Sequence, residues 1–203
     1  MSIVSDSLIV FARAPRLGSV KTRLARRLGD DAALAIYREV TERTLRVARG
    51  SGIPVHVAFT PGDAADEMRS WLGDDLAYEA QTDGDLGTRM ARSISARFAT
   101  GANRVVIVGT DCPALSPAIL RAALDALARA DVVFGPATDG GYYLMAQRAL
   151  HPSLFVGVPW SSARTLGVSL ARAQSAGLSV ALLDELRDID TAEDWQAYLD
   201  GSA

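Results

Sequence analysis

Four cations and a glycine stand close together near the start of the chain, between an apolar run and a helix-compatible stretch. They lie within residues 13–23, here called the basic loop, and are Arg13, Arg16, Gly18, Lys21 and Arg23. Backbone N–H groups at a strand-to-helix turn attract anions, lysine adds a point charge, and arginine matches two phosphate oxygens. We predict that the basic loop, including Thr22, binds phosphate. The alternative is a solvated turn whose arginines pair with surface acids.

The basic loop is not a P-loop of the Walker type. That motif places a glycine directly before Lys-Ser/Thr and another glycine five residues earlier. Here Val20 precedes Lys21, and Pro15 stands five residues before Val20. The Rossmann glycine pattern is absent from the loop as well. A kinase or ATPase of the Walker class is therefore excluded.

Three aspartates are candidate ligands of a divalent metal ion. Asp111 follows a strongly apolar run, at the carboxyl end of a predicted strand. Asp188 and Asp190 flank Ile189, and residues i and i+2 of an extended segment point to the same side. Mg²⁺ commonly takes one or two carboxylates together with water and phosphate oxygens. The alternatives are a capping role for Asp111 and a solvated strand edge for the other two.

A second group of candidates surrounds the turn Asp139-Gly140-Gly141. Glycines allow close approach of the backbone to a ligand, although the same residues also form ordinary turns. Tyr142 and Tyr143 point to opposite faces of a strand, so we expect one in the core and the other in a pocket. We assign Gly140, Gly141 and Tyr142 to substrate contact.

Strand-like and helix-like segments alternate along the chain. The strand-like segments are 8–12, 54–59, 77–81, 104–109, 132–134, 142–146 and 179–183. The helix-like segments are 30–48, 63–72, 116–130, a stretch opening at 83–85 and a last one starting at 191. This alternation predicts one α/β domain over residues 1–203, a three-layer sandwich with a mostly parallel sheet. Ligands of such sheets bind beyond the carboxyl ends of the strands, where the candidate residues lie.

Composition excludes several classes of protein. The 203 residues carry a net charge of −3 and are 49% hydrophobic, which argues against a nucleic-acid or membrane-surface binder. The single cysteine, Cys112, excludes a disulfide framework. Residues 1–6 lack a signal-like pattern, and no apolar run approaches the ~20 residues of a membrane span. We therefore expect a cytoplasmic protein.

The motifs together resemble a bacterial transferase family of unassigned substrate, grouped with the glycosyltransferase-A-like proteins. Three segments carry the resemblance: residues 11–24 (Phe-Ala-Arg-x-Pro-x-x-Gly-x-x-Lys-Thr-Arg-Leu), 109–115 (Gly-Thr-Asp-Cys-Pro-x-Leu) and 135–144 (Gly-Pro-Ala-x-Asp-Gly-Gly-Tyr-Tyr-Leu). Trp160-Ser161 and the Asp-x-Asp-Thr-x-x-Asp tail at 188–194 complete it. The match extends over nearly the whole chain.

The resemblance implies the nucleotide-diphospho-sugar transferase fold, with Mg²⁺ or Mn²⁺ at Asp111, Asp188 and Asp190. It also implies nucleotide contacts from Gln81, Gly84 and Arg89, and places Trp160 and Ser161 on the substrate side. Trp160 is either a stacking wall or a core anchor. Some members are labelled as glycosyltransferases of arsenosugar biosynthesis, but fold and label do not define the reaction.

Three functions remain open. In nucleotidyl transfer from an NTP, Lys21 and Arg23 would stabilise developing charge with the metal ion. In glycosyl transfer from a nucleotide sugar, Asp139 would act as base for an unidentified small-molecule acceptor. The third function is that of a non-catalytic nucleotide-binding regulator. The number of cations favours the first, because a diphosphate held by metal requires less positive charge.

Overall fold

A seven-stranded sheet runs through the part of the chain that the computed structural model describes, residues 5–201. Its strands are β1 (Asp6–Arg13), β2 (Val55–Thr60), β3 (Ala77–Ala80), β4 (Arg104–Val108), β5 (Val132–Pro136), β6 (Tyr142–Gln147) and β7 (Val180–Leu182). The order across the sheet is β3-β2-β1-β4-β6-β5-β7. Residues 1–4 and 202–203 lie outside the described residues. They include both ends of the domain predicted over residues 1–203 and most of residues 1–6, for which the sequence predicts no signal peptide.

Helices cover both faces of the sheet. They are α1 (Thr22–Leu28), α2 (Asp30–Gly50), α3 (Ala65–Leu72), α4 (Leu86–Ala99), α5 (Pro117–Ala126), α6 (Thr165–Ser175) and α7 (Ala192–Leu199), with a short 3-10 helix at Pro152–Phe155. The predicted α/β fold with three layers is confirmed. Helices α1 and α6 were not expected from the sequence. None of the helices in residues 5–201 has the length and apolar character needed to span a membrane.

Two apolar layers sandwich the sheet because successive strand residues point to opposite faces. Leu8 and Val10 of β1 join a cluster with α2, α3 and α5, while Ile9 joins another with α4 and α6. Truncating a fully buried core residue such as Leu120 to alanine costs about 2–5 kcal/mol in comparable cores. This double burial holds β1 and β4 rigidly at the centre, where their carboxyl ends carry the basic loop and Asp111.

Strand β6 is antiparallel to its neighbours β4 and β5, whereas the other strand pairs are parallel. The mostly parallel sheet is thus confirmed, with one reversed strand inside it. Because β5 and β6 form a hairpin, the turn at residues 137–141 lies at the same edge as the carboxyl ends of β1 and β4. This reversal brings Asp139 to the edge where ligands bind.

A small third cluster fixes the tail of the chain. Leu24 of α1, with Ile36 and Val40 of α2, packs against Ile189, which is 1% exposed. The helix that follows begins with a capping box between Thr191 and Asp194. These contacts hold the stretch between β7 and α7 against the start of the chain.

Candidate metal and phosphate site

A cavity of about 590 Å³ opens at the carboxyl ends of the parallel strands. Six predicted phosphate- and nucleotide-binding residues line it: Arg13, Lys21, Thr22, Arg23, Gln81 and Arg89. The four candidate carboxylates line it too: Asp111, Asp139, Asp188 and Asp190. A cavity of this size lies within the range of small-molecule sites. Residues from both ends of the chain therefore meet in one pocket.

The acidic side of the cavity is formed by Asp139, Asp188 and Asp190. One carboxylate oxygen from each lies within 4.8 Å of the other two. Buried Ile189 directs its two neighbours to the same cluster, and its N–H donates to the carbonyl of Asp111 at 2.9 Å. Asp139 joins through the turn between β5 and β6. These three, rather than Asp111 with the tail pair, are closest to one another.

Negative charge at Asp139 and Asp188 is poorly compensated, since Asp190 is the member of the cluster that forms ion pairs within residues 5–201. Burial, followed by the charges of the Asp139, Asp190 and Asp111 carboxylates, raises the pKa of the half-buried Asp188 to about 6. A hard divalent cation bound by oxygen ligands would relieve this repulsion. The donor set therefore fits Mn²⁺ or Mg²⁺.

Lys21, the only lysine of the chain, lies against the acidic side. Its side chain is 5% exposed, and its ammonium contacts the carboxylate of Asp111 and that of Asp190 at 3.2 Å. It also donates to the carbonyl of Ile189. Burial lowers the pKa of Lys21, but the two carboxylates outweigh burial, so the pKa is raised. Lys21 therefore stays charged, with its three donors occupied.

Arg23 follows Lys21 at the start of α1 and extends the contact with the tail. Its guanidinium lies 3.2 Å from the Asp190 carboxylate, and its side chain is 60% exposed. More than half of its side chain thus faces solvent, and Arg23 lines the cavity. Asp111, half exposed, is paired with Lys21 and stands outside the trio.

The basic side of the cavity is formed by Arg13 and Arg89. Arg13 donates to the carbonyl of Ser19 at 3.3 Å, and Arg89 donates to the side-chain oxygen of Gln81 at 3.0 Å. Neither forms an ion pair with a carboxylate in residues 5–201. Burial, and then the charge of Arg13, lower the pKa of Arg89. The charge of Asp85 acts on Arg89 in the opposite direction, but from beyond ion-pair distance. Two neighbouring cations with no carboxylate at ion-pair distance can bind an anion.

Gln81 has its amide fully engaged. Its nitrogen donates to the carbonyl of Ala58 at 2.8 Å, and its oxygen accepts from Arg89. The amide therefore orients Arg89 and has little capacity left to read a nucleobase.

Four predicted site residues do not line the cavity: Arg16, Gly18, Gly84 and Gly140. Arg16 turns toward α3 and pairs with Glu67 at 2.9 Å and Asp63 at 3.3 Å, as in the solvated-turn alternative. Gly140 packs instead against the backbone of Ala163, where a Cβ atom would clash, and its φ of 85° favours glycine. These residues shape loops around the site.

Four residues predicted to contact the substrate line another side of the cavity, which is partly aromatic: Gly141, Tyr142, Trp160 and Ser161. The Tyr142 ring lies between Phe134, at 5.1 Å, and Trp160, at 6.4 Å between centroids. The Trp160 ring covers Gly87 so closely that a Cβ atom there would overlap it. Trp160 therefore lines the cavity and is also a packing anchor, whereas stacking of its ring on a substrate stays a prediction.

Two other polar residues have structural surroundings. His56 contacts the Arg97 guanidinium through Nδ1 at 2.7 Å, and burial followed by Arg97 lowers its pKa. Cys112 is buried, and its thiol pKa is raised by burial and by nearby carboxylates, which makes it a poor nucleophile.

Tyr37 of α2 is a cavity residue that the sequence did not indicate. It lines the cavity although its sequence context suggests only a helix core.

The fold and the paired acidic and basic walls define an α/β protein of the nucleotide-diphospho-sugar transferase type. The chain belongs to the family described as "Uncharacterized protein conserved in bacteria (DUF2064)", whose profile matches residues 44–162. No curated protein matches the chain. A solved structure from Desulfovibrio desulfuricans G20, described as a "putative nucleotide-diphospho-sugar transferase", is 32% identical, with a TM-score of 0.92; the match covers 97% of this chain and 87% of that one.

More distant structures share the fold. Rv0371c from Mycobacterium tuberculosis H37Rv, solved as a complex with manganese, is 20% identical, with a TM-score of 0.61 and coverage of 97% and 98%. A CMP:2-keto-3-deoxy-manno-octonic acid synthetase complexed with CTP is 16% identical, with a TM-score of 0.59 and coverage of 98% and 100%. The chain thus shares its fold with both structures.

Proposed function

We propose that this protein is a metal-dependent nucleotidyltransferase that uses a nucleoside triphosphate and releases pyrophosphate. An oxyanion of a small-molecule acceptor attacks the α-phosphorus, a new P–O bond forms, and the bond to the bridging oxygen of the β-phosphate breaks. The single observation that carries the proposal is that Arg13 and Arg89, neither of which forms an ion pair within residues 5–201, line the same cavity as the acidic trio. Such a cavity matches a polyphosphate chain on one side and a divalent ion on the other.

Asp139, Asp188 and Asp190 are the residues that would hold Mn²⁺ or Mg²⁺, which supplies positive charge next to the phosphate oxygens. Arg13 and Arg89 hold the polyphosphate at the other side. Arg23 carries an exposed guanidinium beside the acidic trio and adds charge where the leaving pyrophosphate develops. Lys21 keeps Asp111 and Asp190 in place while its charge stabilises the same region. Positioning and electrostatics, rather than a covalent intermediate, provide catalysis.

Glycosyl transfer is the second candidate, because the Desulfovibrio protein at 32% identity is described as a nucleotide-diphospho-sugar transferase. In that reaction Asp139 would accept the acceptor proton. However, its carboxylate belongs to the trio and already accepts from the N–H of Gly141 at 2.7 Å. A metal ligand in this position is a weaker base, which favours the nucleotidyl reaction. A purely regulatory protein is disfavoured, because nucleotide binding alone requires no acidic trio.

A thermal-shift panel distinguishes the two reactions. The purified protein is heated with each of ATP, CTP, GTP and UTP, and with UDP- and GDP-sugars, in the presence and absence of Mn²⁺. We expect the largest Mn²⁺-dependent rise in Tm with a triphosphate. A larger rise with a nucleotide sugar would replace the proposal by glycosyl transfer, and no Mn²⁺-dependent rise with any nucleotide would eliminate both.

The location is proposed as cytoplasmic. Nucleoside triphosphates are available there, and a reducing compartment suits a chain whose one cysteine is free and buried.

A further inference from the structure

Strand β1 continues past the end of its neighbour β4. The last paired residues of the two strands are Val10 and Val108, so residues 11–13 have no β4 partner. On the other side, the N–H of Ala14 donates to the carbonyl of Thr60 in β2 at 2.8 Å. Because successive residues of a strand direct their amide groups to opposite sides, Arg13 turns its N–H and C=O toward the gap beyond β4. Such groups need partners when buried.

The phenol of Tyr37 provides both partners. Its oxygen accepts from the N–H of Arg13 at 2.7 Å and its hydroxyl donates to the carbonyl of Arg13, also at 2.7 Å. Tyr37 is 4% exposed, and its ring lies 5.9 Å from that of Trp71. Burial raises the pKa of Tyr37, so the hydroxyl keeps the proton that it donates. One side chain thus replaces the missing strand at the residue that begins the basic loop.

The same helix also contacts the loop after β4, which carries Asp111. Arg43 lies six residues after Tyr37 on α2, and its Nε donates to the carbonyl of Pro113, two residues after Asp111. Helix α2 therefore connects the carboxyl end of β1 to the loop after β4. The hydrogen bonds of Tyr37 and Arg43 therefore link the basic loop to the loop that carries Asp111.

We propose that Tyr37 is a positioning residue that fixes the backbone of Arg13 and thereby the direction of its guanidinium into the cavity. The inference rests on the proposed function, because it takes Arg13 as a phosphate contact. Tyr37 itself touches no reacting atom. Its hydroxyl acts through Arg13, and the loss of that hydroxyl weakens phosphate binding only where Arg13 is present.

The test is a double-mutant cycle. The Kd of inorganic triphosphate is measured by calorimetry with Mn²⁺ for the wild type, Tyr37→Phe, Arg13→Gln and the double variant. The control is Tyr78→Phe, since Tyr78 also donates to a backbone carbonyl, that of Gly73 at 2.6 Å, but lies outside the cavity. Phenylalanine keeps the ring packed on Trp71, and thermal unfolding checks that each variant is folded.

Tyr37→Phe removes both hydrogen bonds to Arg13, and we expect its Kd to rise by about fivefold or more. We expect Arg13→Gln to weaken binding at least as much, the double variant to match Arg13→Gln alone, and Tyr78→Phe to leave the Kd unchanged. Three results would overturn the positioning role. In the double variant, the losses of affinity from the two substitutions would add; Tyr78→Phe would lose as much affinity as Tyr37→Phe; or Tyr37→Phe would keep the wild-type Kd. A wild-type Kd in Arg13→Gln would instead remove Arg13 from the phosphate site, and the inference with it.

Discussion

The buried ammonium of Lys21 lies 3.2 Å from the carboxylate of Asp190, which stands 169 positions further along the chain. This ion pair joins the basic loop to the tail of the protein. A compact ammonium has three donors, and here they reach two carboxylates and one carbonyl. A planar guanidinium does not direct its donors to three separate acceptors in this way. This difference accounts for a lysine at position 21 in a chain whose other basic side chains, apart from two histidines, are arginines.

Replacing Lys21 by methionine is expected to leave Asp111 without its cation and Asp190 with Arg23 alone. We expect the free energy of unfolding of the metal-free protein to fall by about 2 kcal/mol at pH 7, less than for a fully buried pair because Asp111 is half exposed. Urea denaturation measures this change. Added Mn²⁺ should recover more stability in the variant than in the wild type, since a cation replaces a cation.

The matched control is Arg27→Met, because Arg27 of α1 pairs with Glu193 at the surface, with both side chains well exposed. Its effect should be close to zero. Equal stabilities of the two variants would show that the Lys21 contacts contribute nothing specific. Lys21→Arg should not restore wild-type stability.

Asp188→Asn is expected to stabilise the metal-free protein and to weaken Mn²⁺ binding. The folded pKa of Asp188, about 6, lies above its unfolded value, so folding favours the protonated form. The repulsive contribution is therefore absent below pH 4 and grows as pH rises through 6. At pH 7.5 the variant should exceed the wild type by about 1 kcal/mol, after allowance for solvent screening.

Urea unfolding at pH 4 and pH 7.5, without metal, checks this prediction. Asp74→Asn, at an exposed loop position, serves as control and should change nothing at either pH. A variant less stable than the wild type at pH 7.5 would mean that the Asp188 carboxylate is not repelled by its neighbours.

Arg89→Gln is expected to raise the Kd of a nucleoside triphosphate by at least tenfold, because a charged hydrogen bond to phosphate contributes about 1.5–3 kcal/mol. Arg92→Gln, on the exposed face of the same helix and outside the cavity, should bind as the wild type does. Calorimetry with Mn²⁺ compares the two. Similar losses in both variants would point to general electrostatic attraction instead of a defined phosphate contact.

Asp131 should make the far end of the sheet sensitive to acid. Its carboxylate accepts hydrogen bonds from the N–H of Ser179 at 2.9 Å, from the hydroxyl of Ser179 at 2.6 Å and from Arg148. All three lower the pKa of Asp131; the hydroxyl has the largest effect, followed by Arg148 and then the N–H. Stability from this group is present above its unfolded pKa of about 3.9 and is lost as pH falls toward the lowered folded value. Asp131→Asn should lower the Tm at pH 7. Below pH 4, the Tm of the variant should fall less steeply with decreasing pH than the Tm of the wild type. Identical Tm profiles would contradict this role.

Much of the fold was accessible from the sequence because its signals are local. The apolar runs of β1 and β4, the Ser116-Pro117 start of α5 and the capping box of α7 each depend on residues within a few positions. Helix α6 gave no such signal, since Arg164 at its N-cap makes no side-chain capping bond. Helix α1 has seven residues with one buried, too few for a periodic pattern.

The sequence before the antiparallel strand β6 contains a turn motif that indicates the reversal of chain direction. Asp139-Gly140 between two apolar segments is a common turn of antiparallel hairpins. The candidate site is harder, because its contacts join distant residues. Nothing near Arg16 indicates that α3 will bring Glu67 beside it, and nothing near Tyr37 indicates that β4 ends three residues before β1. Spacing and the family resemblance together identified the charged residues that line the cavity, whereas partners that depend on tertiary packing required the structure.

The central claim is that one cavity binds a divalent ion and a triphosphate together. Calorimetric titration of a nucleoside triphosphate into the protein, with and without Mn²⁺ and with the Asp188→Asn variant, tests it most directly. We predict that Mn²⁺ tightens triphosphate binding, that the triphosphate tightens Mn²⁺ binding by the same factor, and that Asp188→Asn abolishes this coupling. Triphosphate binding of equal strength with and without Mn²⁺, unaffected by Asp188→Asn, would contradict the account.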